Sequence, residues 1–545
     1  MSYKFLNKKA LTKAQAIIIA LILIIAVIAG VVGYYLTSQR PLPSVTPEIE
    51  LRYGWVTDII TMDPHIGWST DTLHIVRACY ERLVQLKGST MDLEPALAES
   101  WEISEDGLVY TFHLRKDVKF SDGSPFNATA VKISFDRLLG IGQQSQNFVA
   151  IDHIEIVDPY TVKFILKFPF APFLAALATM QASIVNPNAV EKHKTADDLW
   201  AMKWFHDHTE GCGPYMLKEW KKGESWTLVQ NPYYWRGWEG QHVTKITGLI
   251  IPEAATNRMM IEKADIDICF FISREDIPQL QLNPYMKIVE YPALSTFYLA
   301  FNTQKPPLDD VHVRRAISYA FDYSQALAII LYHGRQARGA MPSALWGWSP
   351  DTPQYTRDME KAREELAKSA YPEGGFTLSY LYCAGLEEER RVGELLQSCL
   401  RDLNIQVNIE AQTWATLTAT TTNPETARHI VALYEFVFAP DPHFAMYDRF
   451  HSSRIPPGGY NWDYYNNSIV DRLLDEAVNE LNRSKRAELY HQVDQILVND
   501  AVAVFAWEET KIVTMGAWVH GFVPNPCLVE TFNFYDMYIV EEEKP

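Results

Sequence analysis

The chain has 545 residues and a formal net charge of −18, a balance that argues against nucleic acid as a partner because phosphates would be repelled. About 495 residues follow the first 50, too many for one compact core, so at least two lobes are implied. No repeat of 20–50 residues and no low-complexity tract is evident in the sequence, which argues against a solenoid.

Residues 16–36 form an uncharged apolar run of 21 residues, long enough as a helix to cross a bilayer core of about 30 Å. Lys4, Lys8, Lys9 and Lys13 precede it and only Arg40 follows closely, so the positive-inside bias places the N-terminus in the cytoplasm and the rest outside. The run exceeds the apolar core of a cleaved signal peptide and ends without an A-x-A site or a lipid-acceptor Cys, so it reads as a retained anchor. Lys9-Ala10-Leu11-Thr12 is similar to the processing site of archaeal prepilin-like signals, although Lys13 departs from that pattern. Residues 37–50, with Pro41, Pro43 and Pro47, make an extended spacer that lifts the following domain off the membrane.

From residue 51 the chain reads as a strand, a turn at Met62-Asp63-Pro64 and a helix over 71–83. The alternation in 108–114 (LVYTFHL) predicts a half-buried strand between the turn dipeptides Asp106-Gly107 and Asp122-Gly123. A hairpin is expected from 154–157 and 160–166 across Asp158-Pro159, followed by an apolar stretch over 170–180. Asp309-Asp310 suits a helix N-terminus, and Val313, Ile317, Ala320, Phe321, Leu327 and Leu331 follow near helical spacing. Amphipathic helices are predicted over 360–367, 387–403, 468–481 and 484–498, with a strand at 406–410.

The chemistry-bearing motifs are sparse. G-x-S-x-G, H-E-x-x-H, G-x-x-x-x-G-K-[ST] and G-x-G-x-x-G are all absent from the sequence, so no catalytic residue, metal ligand or cofactor is assigned. The adjacent acids Glu508-Glu509 could in principle serve glycoside hydrolysis, but such pairs are common on surfaces. His206-Asp207-His208 with Glu210 and Cys212 offers competent metal ligands, yet abuts the Gly213-Pro214 turn and reads as a polar, solvated loop. Six cysteines (Cys79, Cys212, Cys269, Cys383, Cys399, Cys527) show no C-x-x-C spacing; an exported setting permits disulfides, and their pairing is left unassigned. Asn127-Ala128-Thr129, Asn466-Asn467-Ser468 and Asn482-Arg483-Ser484 are glycosylation sequons if the exported face meets that machinery.

Residues 94–137 carry Pro95-Ala96-Leu97-Ala98, Trp101 and Leu114-Arg115-Lys116. In the same order along the chain come Met62-Asp63-Pro64, Tyr80-Glu81-Arg82-Leu83-Val84, Gly211-Cys212-Gly213-Pro214-Tyr215, Asn231-Pro232-Tyr233-Tyr234-Trp235, the run 310–322 (DVHVRRAISYAFD), Asp441-Pro442, 466–477 and 519–526. The series resembles the extracytoplasmic solute-binding proteins of ABC importers, in the large peptide/nickel-binding class. The resemblance implies an α/β, two-lobed periplasmic-binding-protein-like fold with an extra subdomain in the first lobe, joined to the single N-terminal transmembrane helix. The expected organisation is a basic cytoplasmic N-terminus (1–15), anchor (16–36), linker (37–50), first lobe (51–83, 186–290 and 508–545), extra subdomain (84–185) and second lobe (291–507).

The resemblance also implies a monomeric, non-enzymatic receptor on the outer face of the cell membrane. It would deliver an oligopeptide or oligosaccharide to permease subunits, hinging shut around it. A secreted hydrolase or glycosidase, or a sensory receptor, is the alternative. In peptide-binding relatives the segment matching 434–450 reads W-x-x-D-Y-x-D-P, and the first Asp pairs with the ligand's α-ammonium. Here Phe438 stands at that Asp and Ala439 at the Tyr, so the amine anchor is missing, and a buried ammonium without a carboxylate is costly. Ligand binding is therefore expected near Glu435, Phe438 and Asp441, with Trp414 as an aromatic candidate.

Overall fold

The computed structural model describes residues 48–67, 70–331, 333–527 and 532–545. The apolar run expected as an anchor lies outside these residues; among the described residues no helix is long and apolar enough to cross a membrane.

Strand β1 (Glu50–Trp55) opens the first lobe and α1 (Thr70–Cys79) follows it. The chain then builds a four-stranded antiparallel sheet from β2 (Ala98–Ile103), β3 (Val109–Leu114), β4 (Ile151–Asp158) and β5 (Thr161–Leu166), in the order β2-β3-β5-β4. Strict alternation puts Tyr110, Phe112 and Leu114 inside, where Phe112 meets Phe164 edge to face at 5.6 Å. Helix α2 (Ala128–Ile141) covers this sheet, capped by Asn127, whose Oδ1 accepts from the Thr129 and Ala130 amides. The sequon at Asn127 thus has a local structural use, and Asn482 caps a later helix in the same way.

The main sheet continues with β6 (Tyr215–Lys221), β7 (Ser225–Gln230), β8 (Lys245–Ile250), β9 (Ile268–Cys269) and the long β10 (Met286–Phe301). In the second half come α3 (Val311–Ala320), β11 (Gly334–Arg335), β12 (Thr377–Cys383), α4 (Glu387–Leu400), β13 (Gln406–Gln412), α5 (Trp414–Thr421) and β14 (Ile430–Phe436). Helices α6 (His443–Phe450), α7 (Ser468–Asn479) and α8 (Arg483–Asn499) lead to the second long strand, β15 (Ala503–Gly516). The order is β13-β12-β14-β10-β15-β9-β1-β8-β7-β6, with β11 on β15. The fold is therefore mixed α/β and two-lobed, and β10 and β15 are the strands that run from one half of the sheet into the other.

The antiparallel β10–β15 ladder breaks where these halves meet. Pro292 faces Thr510 and Thr296 faces Glu508, so three residues of β10 lie opposite Glu509 alone. Extra residues on one strand bend and twist it, and proline removes a ladder donor at the same point. Adjacent residues in a strand point to opposite faces. Glu508 accordingly turns to Arg335, at 3.0 and 3.1 Å, and to Ser343. Glu509 faces the cleft, so the two acids are not a facing catalytic couple.

Several recurrent motifs are structural. Asp63 of Met62-Asp63-Pro64 pairs with Arg137 of α2 at 2.5–2.8 Å, both fully buried. His65 lies 2.9 Å from the same guanidinium, and burial, reinforced by that positive charge, pushes its pKa down to about 3. Gly213 lies so close to the preceding chain that a Cβ would stand 2.6 Å from the Cys79 carbonyl carbon and 2.7 Å from the Tyr80 nitrogen. Asn231 then secures it by donating to the Gly213 carbonyl at 2.8 Å. Asp310 caps α3 through the His312 amide at 2.8 Å.

Candidate functional site

Between the lobes lies a cavity of about 1390 Å³. One side is formed by residues 270–275, which follow β9, with Thr510, Lys511 and Ile512 of β15; the other by the first turn of α4, the end of β14, α6 and Trp462. Gln143, Gln144, Gln146 and Asn147, beyond α2, bring the subdomain to the cavity. Aromatic faces dominate the apolar part. Trp414 opens α5 with 58% exposure and stands 5.9 Å from Trp462, while Phe436 is 6.0 Å from Phe438.

Two charge clusters stand on the wall. In the first, Glu435 of β14 receives Arg449 Nε of α6 at 3.0 Å, with the glutamate side chain 23% exposed. Arg449 also donates to the Tyr298 hydroxyl at 2.7 Å and to the Tyr460 carbonyl at 2.7 Å. Burial raises the Glu435 pKa, Arg449 opposes that rise and Asp448 adds to it. Behind this pair Asp463 is fully buried, neither carboxylate oxygen having a hydrogen-bond partner among the described residues. Burial lifts it to about 7 against the pull of Arg449.

In the second cluster Arg274 reaches Glu388 of α4 at 2.8 Å and Glu509 at 3.4 Å. The Tyr434 hydroxyl donates to the other Glu388 oxygen at 2.8 Å. Neighbouring Glu389 accepts from the Cys383 amide at 2.8 Å, and its pKa is lifted to about 7 by burial, a rise the amide opposes and the Glu388 charge augments. Arg391, one turn along α4, lines the cavity without an ion pair to any described residue.

Glu435, Phe438 and Trp414 all lie on the cavity wall. Asp441 is not among the residues of that wall. It is 4% exposed and held at 2.6 and 2.7 Å by both terminal nitrogens of Arg486. With the His443 amide at 3.0 Å, three donors from the protein itself engage this carboxylate. Sequence reasoning missed Arg274, Glu388, Arg391 and Arg449. Only the acidic first turn of α4 (Glu387, Glu388, Glu389) offered a signal, and it reads equally as ordinary helix-dipole complementation. In the His206–Cys212 segment His208 bonds Asp207 and stacks on Trp204 at 4.7 Å, and among the described residues no group of three or more metal-type ligands converges. All six cysteines are free thiols.

Residues 92–456 match the family model of the bacterial extracellular solute-binding proteins, family 5 Middle. The chain belongs to that family. This solute-binding protein is 35% identical, over 91% of its own length and 95% of the relative's, to a protein of Escherichia coli described as a probable D,D-dipeptide-binding periplasmic protein, DdpA. It is 30% identical to heme-binding protein A of Haemophilus influenzae, covering 83% of this chain and 86% of that one. Among solved structures it is similar to the ABC transporter-associated periplasmic binding protein DppA of Helicobacter pylori in complex with the peptide STSA. That match has a TM-score of 0.77 and 26% identity, and covers 90% of this chain and 98% of the other. The solute-binding protein is thus an extracytoplasmic receptor of an ABC importer and not an enzyme.

Proposed function

We propose that the cleft captures a short peptide, with Glu435 receiving the α-ammonium in place of the carboxylate that Phe438 displaces. The carrying observation is the state of Glu435: it is half-shielded on the cavity wall, one oxygen pairs with Arg449, and Oε1 takes no hydrogen bond from any described residue. Arg391 would meet the ligand's carboxylate, and the aromatic wall would accept varied side chains. A cavity of about 1390 Å³ exceeds the roughly 300–1,000 Å³ of ordinary small-molecule clefts, which suits more than a single amino acid. The dipeptide name of one relative and the bound peptide in a similar structure support the same class.

The receptor acts as a monomer, tethered through residues 16–36 and handing its ligand to permease subunits. Blocking the amine tests the anchor: in calorimetric titrations of the full chain in detergent, N-acetylated peptides should bind about tenfold to a hundredfold more weakly than free-amine parents, the value of one charged hydrogen bond. Equal affinities would remove Glu435 from that role.

A further inference from the structure

We propose that Arg274 is a positioning residue for solute capture: a latch carried by the first lobe that grips Glu388 and Glu509 and weights the empty protein toward its closed form. Arg274 begins a short turn (Arg274–Asp276) after β9, which is paired with β1 and β15. Glu388 sits in the first turn of α4, which packs on β12 and β13 in the other lobe. The two are 114 residues apart in sequence and 2.8 Å apart in space.

The acceptor is fixed before the arginine arrives. One Glu388 oxygen is already held by Tyr434 of the same lobe, at 2.8 Å. Glu509 stands at the bend of β15, with Lys511 of its own strand 3.1 Å away. Opening at that bend would leave both of those contacts intact and separate Arg274 from Glu388. Its side chain is 19% exposed, against 34% for Glu388 and 9% for Glu509, so the contact is screened less than a surface pair.

The latch rests on the two-lobed capture reading but needs no solute to be seen, so a failed peptide titration leaves its test unaffected. Hydrogen exchange with mass spectrometry on the ligand-free full chain provides that test. Arg274→Gln should raise exchange roughly fivefold to tenfold in both 270–276 and 386–392. Glu388→Gln should match it, Arg274→Lys should restore protection in part, and high salt should loosen the wild type less than either charge-removing substitution does. Wild-type protection in Arg274→Gln at low salt would overturn the latch. So would a rise confined to 270–276, which would mean local loosening without lobe separation.

Discussion

Asp441→Asn should destabilise the protein by about 3–5 kcal/mol, the usual cost of leaving a buried charge without its partner. Arg486 is the charge in question. It is 4% exposed and donates to both Asp441 oxygens, to the Ala477 carbonyl at 2.9 Å and to the Tyr490 hydroxyl at 3.2 Å. An arginine guanidinium keeps its proton even when buried, so Arg486 cannot escape that cost by losing it. The pair joins the loop after β14 to α7 and α8, and the amide of His443 at the start of α6 is held by Asp441 at 3.0 Å. Thermal unfolding should therefore fall by several degrees, while peptide affinity measured well below the transition stays near wild type. An unchanged midpoint with lost affinity would return Asp441 to the binding site.

Glu435→Gln should have the opposite profile. The amide keeps the shape of the side chain but removes the charge opposite the proposed ammonium, so free-amine peptides should bind about tenfold to a hundredfold more weakly. N-acetylated peptides lack the positive partner and should lose little. That difference separates a direct contact from damage transmitted through Arg449, which would weaken both ligand types alike. Equal loss for both would assign Glu435 to holding Arg449 and not to the ligand.

Local patterns were legible because their causes are local. Residues 108–114 alternate because one face of β3 packs on Phe164 and the other meets solvent, and the hairpin across Asp158-Pro159 follows from the same rule. Asp310, Asn467 and Asn482 cap the helices where the sequence places their starts. The cleft is different in kind. Arg274 meets partners 114 and 235 residues away, and Glu435 meets Arg449 only because α6 folds back over β14. No window of sequence contains the Arg274 contacts, and although Glu435 and Arg449 share the segment 434–450, no local pattern there pairs them. The partner of Asp441 was hidden for the same reason: its Asp-Pro setting resembles a ligand-binding segment, while the arginine that pairs with it lies 45 residues on. Phe438 was legible as a departure from the family pattern, and the carboxylate proposed to replace the missing one stands three residues earlier, on the same wall.

Peptide capture in this cleft is tested most directly by presenting the full chain in detergent with a pool of mixed short peptides and, separately, a pool of mixed β-linked oligosaccharides. The retained molecules are then identified by mass spectrometry after washing. The account predicts unmodified free-amine peptides retained from the first pool and nothing above background from the second. Retained oligosaccharides with no peptides would contradict it, and would instead make Trp414, Trp462 and Phe438 the stacking wall of a carbohydrate cleft.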